Sequence, residues 1–240
     1  MKLTFLGTRG NIEARTRRHY RHSTLQVSYR GQRVIVDWGE DWRGELDEMR
    51  PHAVVVTHAH PDHAFGLKDG APCPVYATKP AWDEMNDYPV EERELVRERQ
   101  PVEIRGMIFE AFGVEHSTRA PAVGYRITAG EARVFYVPDV VYIHERSEAL
   151  SQVRLYIGDG ATLDRSLVRK REEALIGHAP VRTQLSWCGK EGVPRAIITH
   201  CGSQIVEGDE RRLGARLREM AEERGVEAEI AHDGQEVVLR

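Results

Sequence analysis

The sequence predicts one layered α/β domain spanning residues 1–240. Three observations carry this reading. Short apolar or alternating runs recur with helix-patterned stretches between them, the order expected when helices pack on sheets. No internal repeat, low-complexity tract or linker interrupts that alternation. The apolar runs also stop repeatedly at a histidine or an aspartate, at Asp37, His58, His116, Asp139 and His200. Polar residues gathered at strand ends imply one shared site along one edge of the sheets.

Lys2 to Leu6 reads as a strand ending at Gly7-Thr8-Arg9-Gly10, where glycine permits a sharp turn. Ser23 to Tyr29 and Gln32 to Asp37 form a hairpin pattern turning at Arg30-Gly31. Trp42 to Met49 reads as a short helix stopped before Pro51, and Ala53 to Val56 as a buried strand. Pro74 to Ala77 is a further strand. Pro80 to Met85 and the highly charged Glu91 to Arg99 read as helical pieces. Ile108 to Val114 is a strand running into Glu115-His116-Ser117, and Pro121 to Thr128 with Ala132 to Val137 forms a second hairpin pattern. Val153 to Ile157 is a strand closing on Gly158-Asp159-Gly160. Pro180 to Trp187 reads as a helix with proline in its first turn. Ala196 to Thr199 is a strand ending at His200-Cys201-Gly202. Asp209 can cap a helix with Leu213, Leu217 and Met220 on one face, and strands Glu227 to Ile230 and Glu236 to Leu239 finish the chain.

A chain of 240 residues can bury a substantial core. With 40% hydrophobic and 30% charged residues it is globular rather than disordered. The formal charge of -4 argues against a protein that coats nucleic acid with a basic surface. No apolar run reaches the length of a membrane span, and the N-terminus carries no secretory signal pattern. Cys73, Cys188 and Cys201 are odd in number and widely spaced, so they frame neither disulfides nor a Cys-x-x-Cys site, and a reducing cytoplasm fits best.

The chemistry concentrates in Thr57-His58-Ala59-His60-Pro61-Asp62-His63. In extended backbone, residues two apart point the same way, so His58 and His60 can offer imidazoles to one metal ion. Asp62 and His63 follow after the chain has turned and can reach a second ion. Imidazole and carboxylate suit zinc, manganese or iron. Asp37, ending an apolar strand, reads either as a turn former or as an acid orienting a metal-bound histidine. Residues 9 to 22 form the most basic stretch, with Arg9, Arg15, Arg17, Arg18, His19, Arg21 and His22 against Glu13 alone. That stretch reads equally as a solvated loop and as a phosphate-attracting rim formed by Arg15, Arg17, Arg18, Arg21 and His22. Asp159 reads as a loop acid near the site and not as a ligand.

Taken as a series, Thr57-His58-x-His60-x-Asp62-His63, a lone His116, Asp139 and Thr199-His200 resemble the metallo-β-lactamase-fold hydrolases, in family order along the whole chain. The resemblance implies a four-layer αβ/βα sandwich with two divalent ions between its sheets, Zn2+ first and Mn2+ or Fe2+ as substitutes. By the same resemblance His58, His60 and His116 hold the first ion, Asp62, His63 and His200 hold the second, and Asp139 bridges them. Ions about 3.5–4 Å apart would lower the pKa of a shared water to about 7, and the hydroxide would attack carbonyl or phosphorus with Asp62 accepting its hydrogen bond. Phe5-Leu6-Gly7-Thr8, Arg21-His22-Ser23, Val36-Asp37-Trp38-Gly39-Glu40 and Gly124-Tyr125-Arg126-Ile127 are similar to the ribonuclease Z and cyclic-phosphate phosphodiesterase branch. Gly177-His178-Ala179-Pro180 resembles that branch's glycine-histidine motif, with Ala-Pro where Ser-Thr is usual. In the branch this histidine contacts the substrate phosphate and can protonate the leaving oxygen, so His178 is the expected second catalytic residue beside Asp62.

The expected partner is a small or cyclic phosphodiester, a nucleotide or a nucleic-acid end, with no membrane and with a homodimer left open. A thioester or lactone hydrolase on the same metal site is the first alternative. A non-catalytic nucleic-acid-binding module is the second. Ribonuclease Z grips precursor tRNA with an arm between the third-histidine motif and the bridging aspartate. Here only residues 117–138 lie in that interval, and the hairpin uses most of them.

Overall fold

The computed structural model describes residues 1–240. The first half supplies β1 (Lys2–Gly7), β2 (Thr24–Tyr29), β3 (Gln32–Val36), β4 (Ala53–Val55), β5 (Val75–Thr78) and β6 (Arg93–Val96). The second supplies β7 (Val102–Ile104), β8 (Met107–Glu115), β9 (Ala122–Ala129), β10 (Ala132–Val137), β11 (Tyr142–Ile143) and β12 (Leu155–Asp159). A small hairpin of β13 (Arg169–Arg171) and β14 (Ala174–Ile176) follows, then β15 (Arg195–Thr199), β16 (Glu227–Ile230) and β17 (Gln235–Val238). One sheet has the order β17-β1-β2-β3-β4-β5-β6, and the other β11-β8-β9-β10-β12-β15-β16 with β7 also on β8.

Period-two alternation divides the core into layers. Val34, Val36, Ala53 and Val55 of the first sheet share a core with Val134, Tyr136, Leu155, Ile157 and Ile197 of the second, so these faces pack on each other. The intervening Ile35 and Val54 point outward to Trp38, Trp42, Leu46, Leu67 and Met85. On the far side, Phe135, Val137, Tyr156, Ala196 and Ile198 meet Val181, Leu185 and Cys188 of the helix Val181–Glu191 and Leu217, Met220 and Ala221 of the helix Glu210–Glu222. The architecture is a four-layer αβ/βα sandwich, as the family resemblance implies. Strands buried on both faces explain the apolar runs that alternate weakly.

Direction places the site. Strands β3 and β4 run parallel, as do β10, β12 and β15. Strand β8 is antiparallel to β9, which is antiparallel to β10, so β8 runs with β10. The carboxyl ends of β3, β4, β8, β10, β12 and β15 therefore open on one edge, where ligands bind in open α/β sheets.

Three elements differ from expectation. Residues 93–96 form a strand on β5 and not a helix, because a short edge strand can leave charged side chains exposed, here Arg93 and Glu94. Trp42 to Met49 is broken into a tight turn at Glu40–Trp42 and a single helical turn at Leu46–Met49, with Gly44 between them at φ 76. Strand β12 extends to Asp159, which places that acid on the ligand-bearing edge.

The basic loop is pinned from beneath. The Thr8 hydroxyl donates to Asp233 (2.6 Å), so His19 Nδ1 donates to the Thr8 oxygen (2.8 Å). Burial, with Arg18 next, lowers the pKa of His19 from 6.5 to about 4. A histidine whose folded pKa lies below its unfolded value stabilises the fold fully above the unfolded value. That stability is lost as pH falls from 6.5 towards 4, because the unfolded chain takes the proton first. The loss is on the order of 3 kcal/mol. Unfolding free energy measured by denaturant titration is expected to fall across that window, and His19→Gln to flatten the slope. An unchanged slope in the variant would exclude His19 as its source.

Candidate metal centre

The chain leaves β4 through Val56 and Thr57 and enters a single helical turn at Pro61–Ala64, with proline fixing its first position. His58 and His60 precede this turn, and Asp62 and His63 lie on it. Gly39 lets the exit of β3 pass beneath, since a Cβ there would meet the Asp62 carbonyl oxygen at 2.0 Å. Asp37 and His200 both hold left-handed backbone, at φ 65 and 51. Such strain collects at functional sites, where surrounding contacts impose it.

The structure brings all seven expected ligands together. His60 Nδ1 lies 3.0 Å from His58 Nε2 and 3.2 Å from His116 Nε2. Asp62 Oδ2 lies 3.0 Å from His200 Nε2 and 3.2 Å from His63 Nε2. Asp139 stands between the two sets, with Oδ2 at 2.7 Å from His63 Nε2, 3.4 Å from His200 Nε2 and 3.9 Å from His58 Nε2, and with Oδ1 at 3.6 Å from His116 Nε2.

The outer ring nitrogens are committed elsewhere. His63 Nδ1 donates to Asp37 (2.9 Å), and His116 Nδ1 donates to the Gly177 carbonyl (3.0 Å). The Thr57 hydroxyl donates to Asp37 and accepts from His58 Nδ1 (3.0 Å). These bonds fix tautomers that turn Nε2 of each ring inward, the arrangement that orients metal-bound histidines. Asp37, fully buried, thus orients histidines in addition to ending a strand.

Charge divides the cluster. Burial, then His63, hold the His58 pKa well below 6.5, burial and His116 bring His60 to about 4, and burial lowers His116. This trio is neutral, as metal ligation requires. Around the other set burial opposes charge but is outweighed. His200, His116 and His63 hold Asp139 well below the usual carboxylate range, and His63 and His200 do the same for Asp62. Asp62, Asp37 and Asp139 in turn raise His63, while Asp139, Asp159 and Asp62 carry His200 to about 10. His63 Nε2 and Asp139 Oδ2 lie 2.7 Å apart yet outside hydrogen-bonding geometry, both aimed at the same space. A buried nitrogen and a buried carboxylate oxygen this close, neither with a hydrogen-bond partner, fit a divalent cation.

His178 lies beside this cluster. Its Nδ1 is 2.7 Å from Asp159 Oδ2 and 3.4 Å from Asp139 Oδ1. Burial would lower its pKa, but Asp159 outweighs burial and raises it. Asp159 also accepts from the backbone amides of Val140 (3.1 Å) and Ala161 (2.8 Å). Buried Gln184 clamps the pair, accepting from Asp159 N (2.9 Å) and donating to the carbonyls of Asp159 (2.7 Å) and Ala179 (3.0 Å). Gln184 carries no signal in the sequence, whereas Ile157-Gly158-Asp159 repeats the pattern of an apolar strand ending in an acid, and Asp159 ends β12 in place of the expected loop.

A cavity of about 660 Å³ opens over the cluster, reached by His60, Asp62, His116, Asp139, His178 and His200. Of the expected cationic rim, Arg15, Arg17, Arg18, Arg21 and His22, none lines this cavity. Arg15 pairs with Asp41 (2.9 Å), which also holds Arg9 and accepts from the His22 amide (3.0 Å). Arg21 pairs with Glu45 and stacks over Trp42. Arg17 and Arg18 line a different cavity. Asp41 and Glu45, distant in sequence, draw Arg9, Arg15 and Arg21 away. Arg165, from the segment between Asp159 and His178, is the cation that lines the metal cavity instead.

Residues 32–201 match the sequence model of the family described as β-lactamase superfamily domain. A sequence search of the curated proteins found no match. Among solved structures, the chain is similar to the metallo-β-lactamase fold protein YhfI from Bacillus subtilis, at 17% identity and TM-score 0.76, covering 98% of each chain. It is similar to a diphosphatase of the PhnP family at 20% identity and TM-score 0.72, covering 100% of this chain and 98% of that one. It is also similar to the short form of human tRNase Z at 18% identity and TM-score 0.67, covering 100% of both chains.

Proposed function

The chain belongs to the β-lactamase superfamily and has the metallo-β-lactamase fold, and from this we propose that it is a binuclear metal-dependent hydrolase acting on small phosphodiesters, nucleotides or nucleic-acid ends. The observation that carries the reading is the Asp159–His178 pair at 2.7 Å beside Asp139, a proton donor held against the seven-residue cluster. The names of two similar structures, a diphosphatase and tRNase Z, support phosphorus over carbonyl chemistry.

In this reading His58, His60 and His116 would hold one ion, Asp62, His63 and His200 the other, and Asp139 would serve both, with zinc the first candidate. The bound ions would supply Lewis acidity, activating water and neutralising charge on phosphoryl oxygens. Asp37 and Thr57 keep the histidine lone pairs aimed inward. Asp62 orients the attacking water. Asp159 keeps His178 protonated, and the imidazolium donates that proton to the departing oxygen. Three buried, unpaired thiols are compatible with a cytoplasmic protein, and no helix is long and apolar enough to cross a membrane.

Arg165 carries no ion pair and can meet the phosphate of an incoming diester. Arg165→Glu is expected to raise KM for bis(p-nitrophenyl) phosphate severalfold with kcat little changed, and to weaken the salt dependence of KM. Wild-type KM at low salt would remove Arg165 from substrate binding.

Hydrolysis of bis(p-nitrophenyl) phosphate, cyclic nucleotides, short oligonucleotides and an acyl thioester by metal-reconstituted protein tests the reading. Preference for the thioester would overturn it in favour of an acyl hydrolase. Precursor tRNA is expected to be a poor substrate, because β9 and β10 occupy most of residues 117–138 and leave no arm to supply remote binding energy. Accurate 3′ cleavage of precursor tRNA faster than small diesters would overturn the size preference.

A further inference from the structure

A second cavity, of about 750 Å³, shares no lining residue with the metal cavity but is built on the same two walls. In the N-terminal loop, Gly10 to Ile12 face the metal cavity and Thr16 to His19 face the second. In the helical turn after His200, Ser203 and Gln204 line the first cavity and Ile205 and Val206 the second. The helix Glu210–Glu222 forms a further wall.

Four arginines line this space, Arg17, Arg18, Arg211 and Arg218, against two acids, Glu210 and Glu229. Both acids are already paired, Glu210 with Arg18 (3.1 Å) and Glu229 with Arg195 (2.6 Å). No ion pair or side-chain hydrogen bond engages Arg17, Arg211 or Arg218. The apolar part of the lining is Ile205, Val206, Leu213 and Ile230. Gly214 lies inside the helix and also lines the cavity. Glycine inside a helix is less favourable than alanine. Its missing side chain leaves room, and a Cβ would meet only the Arg218 guanidinium, at 3.4 Å.

We propose that this cavity is a binding site for a nucleoside phosphate. The three free guanidinium groups match phosphate oxygens in planar, bidentate geometry. The apolar lining accepts the sugar and base, and guanidinium faces stack on bases. The volume lies within the range of small-molecule sites. This proposal does not rest on the phosphodiesterase reading. The same chemistry is presented by a free nucleotide and by the terminal nucleotide of a strand that continues over the helical turn to the metal cavity.

Calorimetric titration of metal-loaded protein with AMP tests it, with inorganic phosphate as the second probe. One class of AMP sites is expected to weaken by more than about tenfold in Arg211→Glu/Arg218→Glu, since two charge-assisted contacts are reversed. Gly214→Leu, which favours the helix and fills the space, is expected to abolish that class with the fold intact. Asp139→Ala is expected to retain it, and bis(p-nitrophenyl) phosphate hydrolysis to be unchanged in the arginine and glycine variants, so failure here is distinguishable from failure at the metal centre. No saturable AMP binding, or binding equal in wild type and both variants, would overturn the proposal. Phosphate binding as tightly as AMP would reduce the cavity to a simple anion site and overturn the nucleoside assignment. A 5′-phosphorylated oligothymidylate that needs both Arg211/Arg218 and Asp139 for full affinity identifies the ligand as a strand, whereas AMP affinity matching the oligonucleotide's identifies a free nucleotide.

Discussion

Asp139→Ala is expected to lower turnover by at least about 10³-fold and to reduce metal content from about two ions per chain to one or none. Lewis-acid stabilisation of transition-state charge amounts to several kcal/mol, and each 1.36 kcal/mol is a factor of ten in rate. Asp139 is the group common to both halves of the cluster, within 3.9 Å of His58, His63, His116 and His200. It is 3% exposed, so bulk solvent does not replace its charge. Asp139→Asn keeps the shape and removes the charge, and is expected to show the same direction of change. Metal analysis of reconstituted protein checks both variants. Two retained ions with full turnover in Asp139→Ala would remove Asp139 from the bridging position.

The second large effect is at His178. His178→Ala is expected to cost about 10²–10⁴ in rate with metal content preserved, the usual contribution of a positioned proton donor. The loss depends on the leaving group. A p-nitrophenolate departs with little help, whereas a ribose oxygen needs the proton, so the deficit should widen from bis(p-nitrophenyl) phosphate to a cyclic nucleotide. Asp159→Asn adds a pH signature. Because Asp159 raises the His178 pKa, its neutralisation lowers that pKa. A general acid must be protonated, so the alkaline limb of kcat/KM should shift to lower pH in Asp159→Asn. Equal losses for both leaving groups and an unmoved limb would leave His178 with a binding role only.

Much of this site is legible in the sequence because it is local. His58, His60, Asp62 and His63 fall within one strand exit and one helical turn, where chain geometry alone dictates that their side chains converge. Asp37, His116, Asp139 and His200 are legible for a related reason, since each ends an apolar run and strand ends collect on one edge. Arg93–Val96 is misread as helix because a charged edge strand and an exposed helix have the same composition.

The sequence by itself determined the residue types of the candidate metal cluster, the layered α/β class and the shortness of the segment between His116 and Asp139. Only the tertiary structure decided which acid each basic group meets. Asp41 draws in Arg9 and Arg15, Glu45 takes Arg21, and Arg17 and Arg18 turn to the second cavity. His178 gains its partner because β12 ends at Asp159 and Gln184, on a later helix, ties the Asp159 backbone to the carbonyl of Ala179 beside His178. These pairings join residues whose separation along the chain carries no periodic signal. They form because a buried or half-buried charge must find its counter-charge, and folding determines which one lies within reach.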